Sequence, residues 1–166
     1  VRGFRIIESG EGWKNSLLPD TALTMAFVFK GKVNQVENNK AFDLPGAVVS
    51  GLRPSPRYVS YQKQTSNMVV QFNEAGVSAF TREPLHYLFE QTLPLDQIFD
   101  RYEIERLGED LSLARSHKER VDFVNDFLLN SLKYPEQDVL VQAAIQKIKT
   151  AQGNINIKEL SKDLYI

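Results

Sequence analysis

The sequence predicts an α+β protein, in which an amino-terminal β-barrel or sandwich precedes a helical region. The first half contains short runs rich in Val, Phe, Tyr and Thr, separated by clusters of Gly, Pro, Asn and Asp, as in strands joined by turns. In the second half the apolar residues recur at helical spacing. A chain of 166 residues with 42% hydrophobic composition can also bury a core. We therefore assign residues 1–92 to a β-rich domain, 93–135 to a helical connector and 136–166 to a further helical segment.

Five strands are predicted in the first half. In the second of them, Leu23, Met25, Phe27 and Phe29 form one strongly apolar face because successive strand residues point to opposite sides. Residues 38–46 contain a Pro-Gly pair and are predicted as a loop. The predicted strands span residues 4–7, 21–30, 47–52, 57–62 and 67–72.

The helical half opens with an apolar stripe at positions i, i+3, i+4 and i+7, which predicts a helix from residue 95. Leu107 and Leu111 carry a second stripe, either after Gly108 or across it. The first stripe consists of Leu95, Ile98, Phe99 and Tyr102.

A capping box predicts where the next helix begins. In the run Ser-His-Lys-Glu at 116–119, the Ser116 hydroxyl accepts from the amide three residues on, and Glu119 reaches back to the cap. Behind it a broad apolar face ends before Pro135. Inward packing is expected of this face, and its width supports a second hypothesis, in which it holds two copies of the chain in a homodimer. The residues proposed for that interface are Phe127, Leu128 and Leu132.

The last stretch of the chain contains one helix end and one helix start. A helix that begins at Pro135 is closed by Gly153, which adopts the left-handed conformation without a Cβ penalty. Asn156 then offers its side-chain oxygen to the first amides of the next helix. That helix has apolar positions at i, i+3 and i+7, which are expected to pack on the previous helix as in a helix-turn-helix. These positions are Ile157, Leu160 and Leu164.

Charge and composition argue against several function classes. The formal net charge is −1, from 20 basic and 21 acidic residues, so the chain has no basic footprint for tight binding to a polyanion. It has no cysteine, which excludes disulfides and thiolate sites and fits a cytoplasmic protein. No run approaches the roughly 20 apolar residues that span a bilayer, so no membrane partner is expected.

A metal site or a catalytic centre is not expected, and no cofactor is predicted. A metal site in a β-barrel needs clustered histidines with a carboxylate, but His86 and His117 lie in different elements outside the strands. Ser116 and His117 are neighbours on a helix and do not face each other, so they form no catalytic dyad. Acidic residues in turns, such as Asp20 and Asp43, usually serve as local acceptors. The chain is therefore predicted not to be an enzyme.

A small-molecule pocket in the β half is the stronger candidate for a site. Trp13, Tyr58 and Tyr61 are aromatic residues whose polar tips need partners when they are buried. Arg53 and Arg57 are placed to meet an anionic group at a strand end. We take these five residues as the predicted ligand-binding set, and we expect most phenylalanines to be core residues.

The run VQAAIQKIKTAQGNINIKELSKDLYI at 141–166 resembles the opening of the DNA-binding region in AraC-type (AraC/XylS) transcriptional regulators. In that family a helix, a glycine-containing turn and a short helix with a Leu-Ala pair precede a recognition helix. Leu160, Ser161 and Leu164 match the short helix, with Ser161 in place of the usual alanine. The resemblance implies that the chain stops inside the first helix-turn-helix. Val1 in place of an initiator Met likewise predicts a fragment.

The β half resembles one type of amino-terminal sensory domain in the same family. The run LLPDTALTMAFVFKG at 17–31 is similar to its entry strand, Gly51 to its glycine turn, and MVVQFNEAG at 68–76 to a later strand and turn. Glu74 and Ala75 stand where proline and glycine are common. The resemblance implies a cupin-like β-domain that senses a small molecule.

Together these resemblances imply the amino-terminal regulatory part of an AraC-family regulator, which senses a small-molecule effector and forms a homodimer. DNA would be bound through recognition helices carboxy-terminal to this chain, and no residue here is expected to read bases. The alternative is a stand-alone cupin-like small-molecule binding protein or enzyme, although the shortage of histidine counts against a metal-dependent form. A third hypothesis is a dimerisation module without a ligand.

Overall fold

Two antiparallel sheets and a helical layer make up the β-rich part of the chain. The computed structural model describes residues 1–134, 136 and 138–165, and within them nine strands and four α-helices confirm the predicted α+β class. The chain divides into two compact units, Val1–Lys133 and Tyr134–Ile166. The first unit contains all the strands and the first two α-helices of the described residues.

The strands are β1 (Gly3–Ser9), β2 (Trp13–Leu17), β3 (Thr24–Lys30), β4 (Val33–Glu37), β5 (Lys40–Asp43), β6 (Ala47–Ser50), β7 (Arg57–Tyr61), β8 (Thr65–Gln71) and β9 (Thr92–Pro94). One sheet has five strands in the order β1-β8-β3-β6-β9, and the other has four in the order β2-β7-β4-β5. All their pairings are antiparallel. Residues of both sheets line one cavity, and Arg57 of β7 donates to Ser50 of β6, so the two sheets face each other as a sandwich.

The loop prediction for residues 38–46 is wrong, because this stretch contains strand β5. Asn38 and Asn39 have φ angles of 48° and 61° and form the two-residue turn of a β4–β5 hairpin, in which Glu37 pairs with Lys40. Strand β5 is exposed along its whole length at the edge of the four-stranded sheet. It therefore lacks the apolar alternation that marks a half-buried strand.

The main core lies on one face of the five-stranded sheet. As predicted from the alternation in β3, Met25 and Phe27 point to this face and are 0% and 3% exposed. Helices α1 (Arg101–Leu113) and α2 (His117–Asn130) contribute Leu111 and Val124 to the same core. The opposite side of the five-stranded sheet is therefore turned toward the four-stranded sheet.

Helix α1 begins later than the apolar stripe predicts. Leu95–Gln97 is a 3-10 turn, and the Asp100 carboxylate caps α1 by accepting from the amides of Tyr102 and Glu103. Tyr102 is consequently 71% exposed instead of completing the stripe. A side chain that accepts from two free amides fixes a helix start more firmly than apolar spacing does. The helix continues through Gly108 without a break.

The predicted capping box starts α2. Ser116 Oγ accepts from the amide of Glu119 at 3.1 Å, as expected. The Glu119 carboxylate accepts from the amide of Arg115 at 2.6 Å, one residue before the cap itself. The box therefore fixes both the helix start and the incoming chain.

The second unit consists of α3 (Val139–Thr150) and α4 (Ile157–Asp163). Helix α3 is capped by Asp138, whereas Pro135, at which the sequence predicts its start, lies outside the described residues. Gly153 has a φ of +80° and its amide donates to the carbonyl of Ile148 at 2.8 Å, which confirms the predicted left-handed closure.

Asn156 caps α4 as predicted, because its Oδ1 accepts from the amide of Lys158 at 2.8 Å. Lys147 of α3 pairs with Asp163 of α4 at 2.8 Å. Of the three apolar positions predicted to pack, Leu160 and Leu164 are half-buried, whereas Ile157 is 80% exposed at the first turn. Within the described residues, no helix has the length and apolar content needed to cross a membrane.

Candidate ligand-binding site

A cavity of about 450 Å³ lies between the inner faces of the two sheets. Strand alternation explains which residues reach it. In β1, Phe4 and Ile6 pack against the main core, so Arg5 and Ile7 face the cavity. A volume of this size is typical of sites for small organic ligands.

Paired strands place a polar row of side chains across one end of the five-stranded sheet. Gln71 of β8 pairs with Thr24 of β3, Thr24 with Ser50 of β6, and Ser50 with Thr92 of β9. A second row lies two residues further along each strand. Its side chains are small and apolar, so they leave the cavity open. The cavity-lining residues of that second row are Val69, Ala26 and Val48.

Two arginines meet at the polar end. The Arg57 guanidinium, on β7 of the four-stranded sheet, donates to Ser50 Oγ at 2.8 Å and also to Thr92 Oγ1. Arg53 donates to the same Thr92 oxygen at 3.4 Å, while its own Nε is buried without a partner. Burial, and then repulsion by Arg53, lower the pKa of Arg57.

Neither Arg53 nor Arg57 forms an ion pair with any carboxylate of the described residues. Both arginines are partly buried, and a cation that loses part of its hydration is ordinarily paired with an anion. The polar end of the cavity is therefore a site at which an anion would be stabilised.

Tyr61 forms part of the wall contributed by the four-stranded sheet. It is 4% exposed, and its cross-strand partner Trp13 stacks on it with ring centroids 5.2 Å apart and an interplanar angle of 16°. Burial raises the pKa of the Tyr61 phenol, against the opposing influence of Arg57 and Arg5. The phenol is therefore held neutral beside the two cations.

The structure brings three of the five predicted site residues together. Arg53, Arg57 and Tyr61 line the cavity. Trp13 covers Tyr61 from the edge strand and is itself 44% exposed. Tyr58 stands between inward-facing neighbours in β7, so its side chain alternates to the outer face and is 55% exposed.

Arg5, Ser50 and Thr92 are site residues that sequence reasoning missed. For Arg5 a signal exists, since Phe4 and Ile6 are apolar and the residue between them in a strand must face the other way. Thr92 belongs to a strand of three residues, too short to show any alternation.

The histidines lie apart from this cavity. His117 Nε2 lies 3.7 Å from Glu8 Oε2 at an exposed position, and the His86 ring contacts that of Tyr87, with centroids 4.4 Å apart. Among the residues that the structure describes, no group of three or more His, Cys, Asp or Glu side chains is placed to hold a metal ion.

The predicted dimerisation residues divide between core and surface. Phe127 packs against the rings of Phe99 and Phe27, with centroids 4.9 and 6.5 Å away, and Leu128 is 4% exposed in the main core. Phe127 and Leu128 therefore pack against the sheet that α2 covers, whereas Leu132 is 41% exposed. Only Leu132 of the three is open to a partner.

Comparison with known proteins finds likeness in structure alone. No family model and no curated protein matches the chain. It matches an apo variant of ToxT from Vibrio cholerae with a TM-score of 0.52 at 11% identity, over 98% of this chain and 69% of that one. A second ToxT structure from Vibrio cholerae gives 0.51 at 8% identity, over the same shares of the two chains.

A weaker match, with a TM-score of 0.43 at 10% identity, covers 98% of this chain and 66% of the AraC-like transcriptional activator CuxR. At such low identities, what the comparison establishes is that this chain shares its fold with ToxT.

Proposed function

We propose that the chain is the amino-terminal regulatory part of an AraC-type transcriptional regulator and that it senses a small anionic effector between its two sheets. The observation that carries the proposal is the meeting of Arg53 and Arg57 at one end of the cavity. Two guanidiniums share the Thr92 hydroxyl there, and neither has a carboxylate partner in the described part of the chain.

The regulatory assignment is supported by both units of the chain. The fold shared with ToxT extends over almost the whole of it. In the second unit, a helix closed by Gly153 is followed by a short helix capped by Asn156, the pattern that resembles the start of the AraC-type DNA-binding region. A stand-alone binding protein would have no need of such a segment.

The expected effector is an organic acid with an apolar body. Guanidinium forks bind carboxylate and phosphate oxygens with two parallel hydrogen bonds, which fixes the position of the acid group. The valines and Ala26 of the second row would then contact the rest of the molecule.

Sensing would work by a shift in population. An effector that binds one state of the regulator more tightly favours that state, by an amount set by the difference in affinity. DNA binding, through recognition helices beyond residue 166, would report which state is populated. A regulator of this kind would act where its DNA is, and the cytoplasm is therefore its proposed location.

A homodimer completes the proposal, because symmetric regulators hold two DNA readers at a fixed spacing. The exposed apolar residues on and after α2 are the candidates for the contact. Leu129 is 58% exposed and Leu132 is 41% exposed.

Footprinting with the complete gene product tests the regulatory assignment. We expect it to protect a specific DNA sequence, and the 166-residue chain alone to give no specific footprint at physiological salt, since its net charge is −1. A complete gene product with no sequence-specific DNA binding would contradict the assignment, and so would a specific footprint from the chain alone.

A further inference from the structure

We infer that the effector carries two anionic groups, one held by Arg53 and Arg57 and the other by Arg5 at the opposite edge of the same cavity. This inference rests on the proposed sensory function and specifies the chemical class of the effector.

Arg5 and the Arg53–Arg57 pair are separate cationic positions. Arg5 lies on β1 at one edge of the five-stranded sheet, whereas Ser50, to which Arg57 donates, lies on β6. Two strands, β8 and β3, stand between β1 and β6, so their backbones are three interstrand steps apart, or roughly 14 Å. Because the two positions lie on strands this far apart, we expect separate acid groups to reach them.

The charge around the cavity is unbalanced. Its lining contains Arg5, Arg53 and Arg57, and the one acidic residue among the described lining residues is Asp20. Asp20 is already paired with Arg2 at 3.4 Å. Arg5 is exposed at the edge strand β1, so a monoanion at Arg57 would leave its charge to solvent, whereas a second acid group would add a charge-assisted contact there.

Both cationic positions face the same space. Burial raises the pKa of Tyr61, whose side chain lies in the cavity wall, and the charges of Arg57 and of Arg5 both oppose that rise. Because opposite sheets contribute Arg57 and Arg5, their fields meet at the cavity between the sheets.

The wall between the two cationic positions is neutral. Gln71 and Thr24 lie there on β8 and β3, and within the described residues their side chains form no hydrogen bond to the protein. Val69 and Ala26 of the apolar row lie beside them. An effector with two acid groups joined by a short, largely apolar spacer matches this order of cation, neutral wall and cation.

Calorimetric titration of the 166-residue chain tests this with dicarboxylates of increasing length, namely succinate, adipate and sebacate. Each is compared with its own monomethyl ester, which keeps the length but removes one charge. We expect the best diacid to bind about tenfold more tightly than its ester, because one charge-assisted pair is lost. Arg5→Gln should weaken the diacid to the level of the ester, and Arg57→Gln should weaken both.

Two control variants keep the result interpretable. Arg5→Lys retains the charge and should retain a preference for the diacid. Lys63→Gln removes an exposed charge that is paired with Glu11, outside the cavity lining, and should change nothing. Equal affinity of diacid and ester, or a diacid preference that survives Arg5→Gln, would overturn the two-anion inference while leaving the sensory proposal standing. If no organic anion bound at all, both would fail.

Discussion

The guanidinium of Arg57 joins the two sheets of the sandwich, because it extends from β7 in one sheet and donates to Ser50 Oγ on β6 of the other at 2.8 Å. The contact uses a cation to hold two neutral hydroxyls, those of Ser50 and Thr92, where a carboxylate would be the stronger acceptor. An anion entering the cavity would compete for this guanidinium. Effector binding and the contact between the sheets would thus be coupled through one side chain.

Replacing Arg57 with methionine should separate stability from ligand response. The variant loses a half-buried cation that has no acidic partner within the described residues, and Ser50 and Thr92 remain 3.3 Å apart and able to bond each other. We expect its free energy of unfolding to stay within about 1 kcal/mol of wild type or to rise, while binding of organic acids is lost. Chemical unfolding and calorimetry measure the two quantities. Lys63→Met is the matched control, and a similar loss of binding there would implicate general charge and not this site.

Gly51 should not tolerate a side chain. A Cβ there would lie 1.7 Å from the carbonyl oxygen of Leu88, which is backbone and cannot swing aside. We expect Gly51→Ala to lower the free energy of unfolding by at least about 2 kcal/mol. Gly108→Ala is the control, because nothing lies within 4 Å of a Cβ there and the position is inside α1. Gly108→Ala should raise the free energy of unfolding by roughly 0.5–1 kcal/mol, because alanine has the higher helix propensity. Equal effects of the two substitutions would contradict the close contact between Gly51 and Leu88.

The strands that the sequence reveals are those with one buried face. The alternation of Leu23, Met25 and Phe27 predicts β3 and its core side because the helices cover that face completely. Strand β5 escapes prediction because it is an exposed edge, although the adjacent pair Asn38-Asn39 is itself a hairpin signal. Local pattern thus identifies buried elements, whereas an exposed edge strand has no apolar alternation by which it could be recognised.

Alkaline pH should destabilise the chain through Tyr61. Its folded-state pKa is raised by burial above the ordinary value of 10.0, so between these two values the native state keeps a proton that the unfolded chain has lost. The associated stability is present below pH 10 and is lost as the pH rises through the folded pKa. Urea unfolding at increasing pH should show this decline in wild type and a smaller decline in Tyr61→Phe. Identical pH profiles would contradict the burial of this phenol.

Leu132 and Leu128 should behave differently when they are changed, although both belong to the predicted dimer face. Leu132→Glu places a charge at an exposed position, so the chain should stay folded and sediment as a monomer. Leu128→Ala removes a core side chain and should cost about 2–5 kcal/mol of stability without a specific effect on association. Sedimentation and chemical unfolding measure both variants. A dimer that persists in Leu132→Glu would place the interface elsewhere.

Three of the residues predicted for the site line the cavity, and these are residues whose chemistry is unusual for a strand. Arg53, Arg57 and Tyr61 stand out as charged or amphipathic groups among strand residues, and the cavity brings them together. Tyr58 has the same chemistry as Tyr61, but strand alternation turns its side chain to the outer face of the sheet. A shift of one residue in the strand register would bring Tyr58 to the inner face in place of Val59. Thr92 reaches Arg57 from 35 residues away, a proximity that only the folded sheets create.

The most direct test of the sensory role is a thermal-shift series with small organic acids and their neutral primary amides, on wild type and on Arg57→Met. An acid that occupies the cavity at about 100 times its dissociation constant should stabilise wild type by roughly 2.7 kcal/mol. The amide should give a smaller shift, and the variant should show none. If no acid raises the melting temperature, or if the shift is undiminished in Arg57→Met, the cavity is not an anion-sensing site.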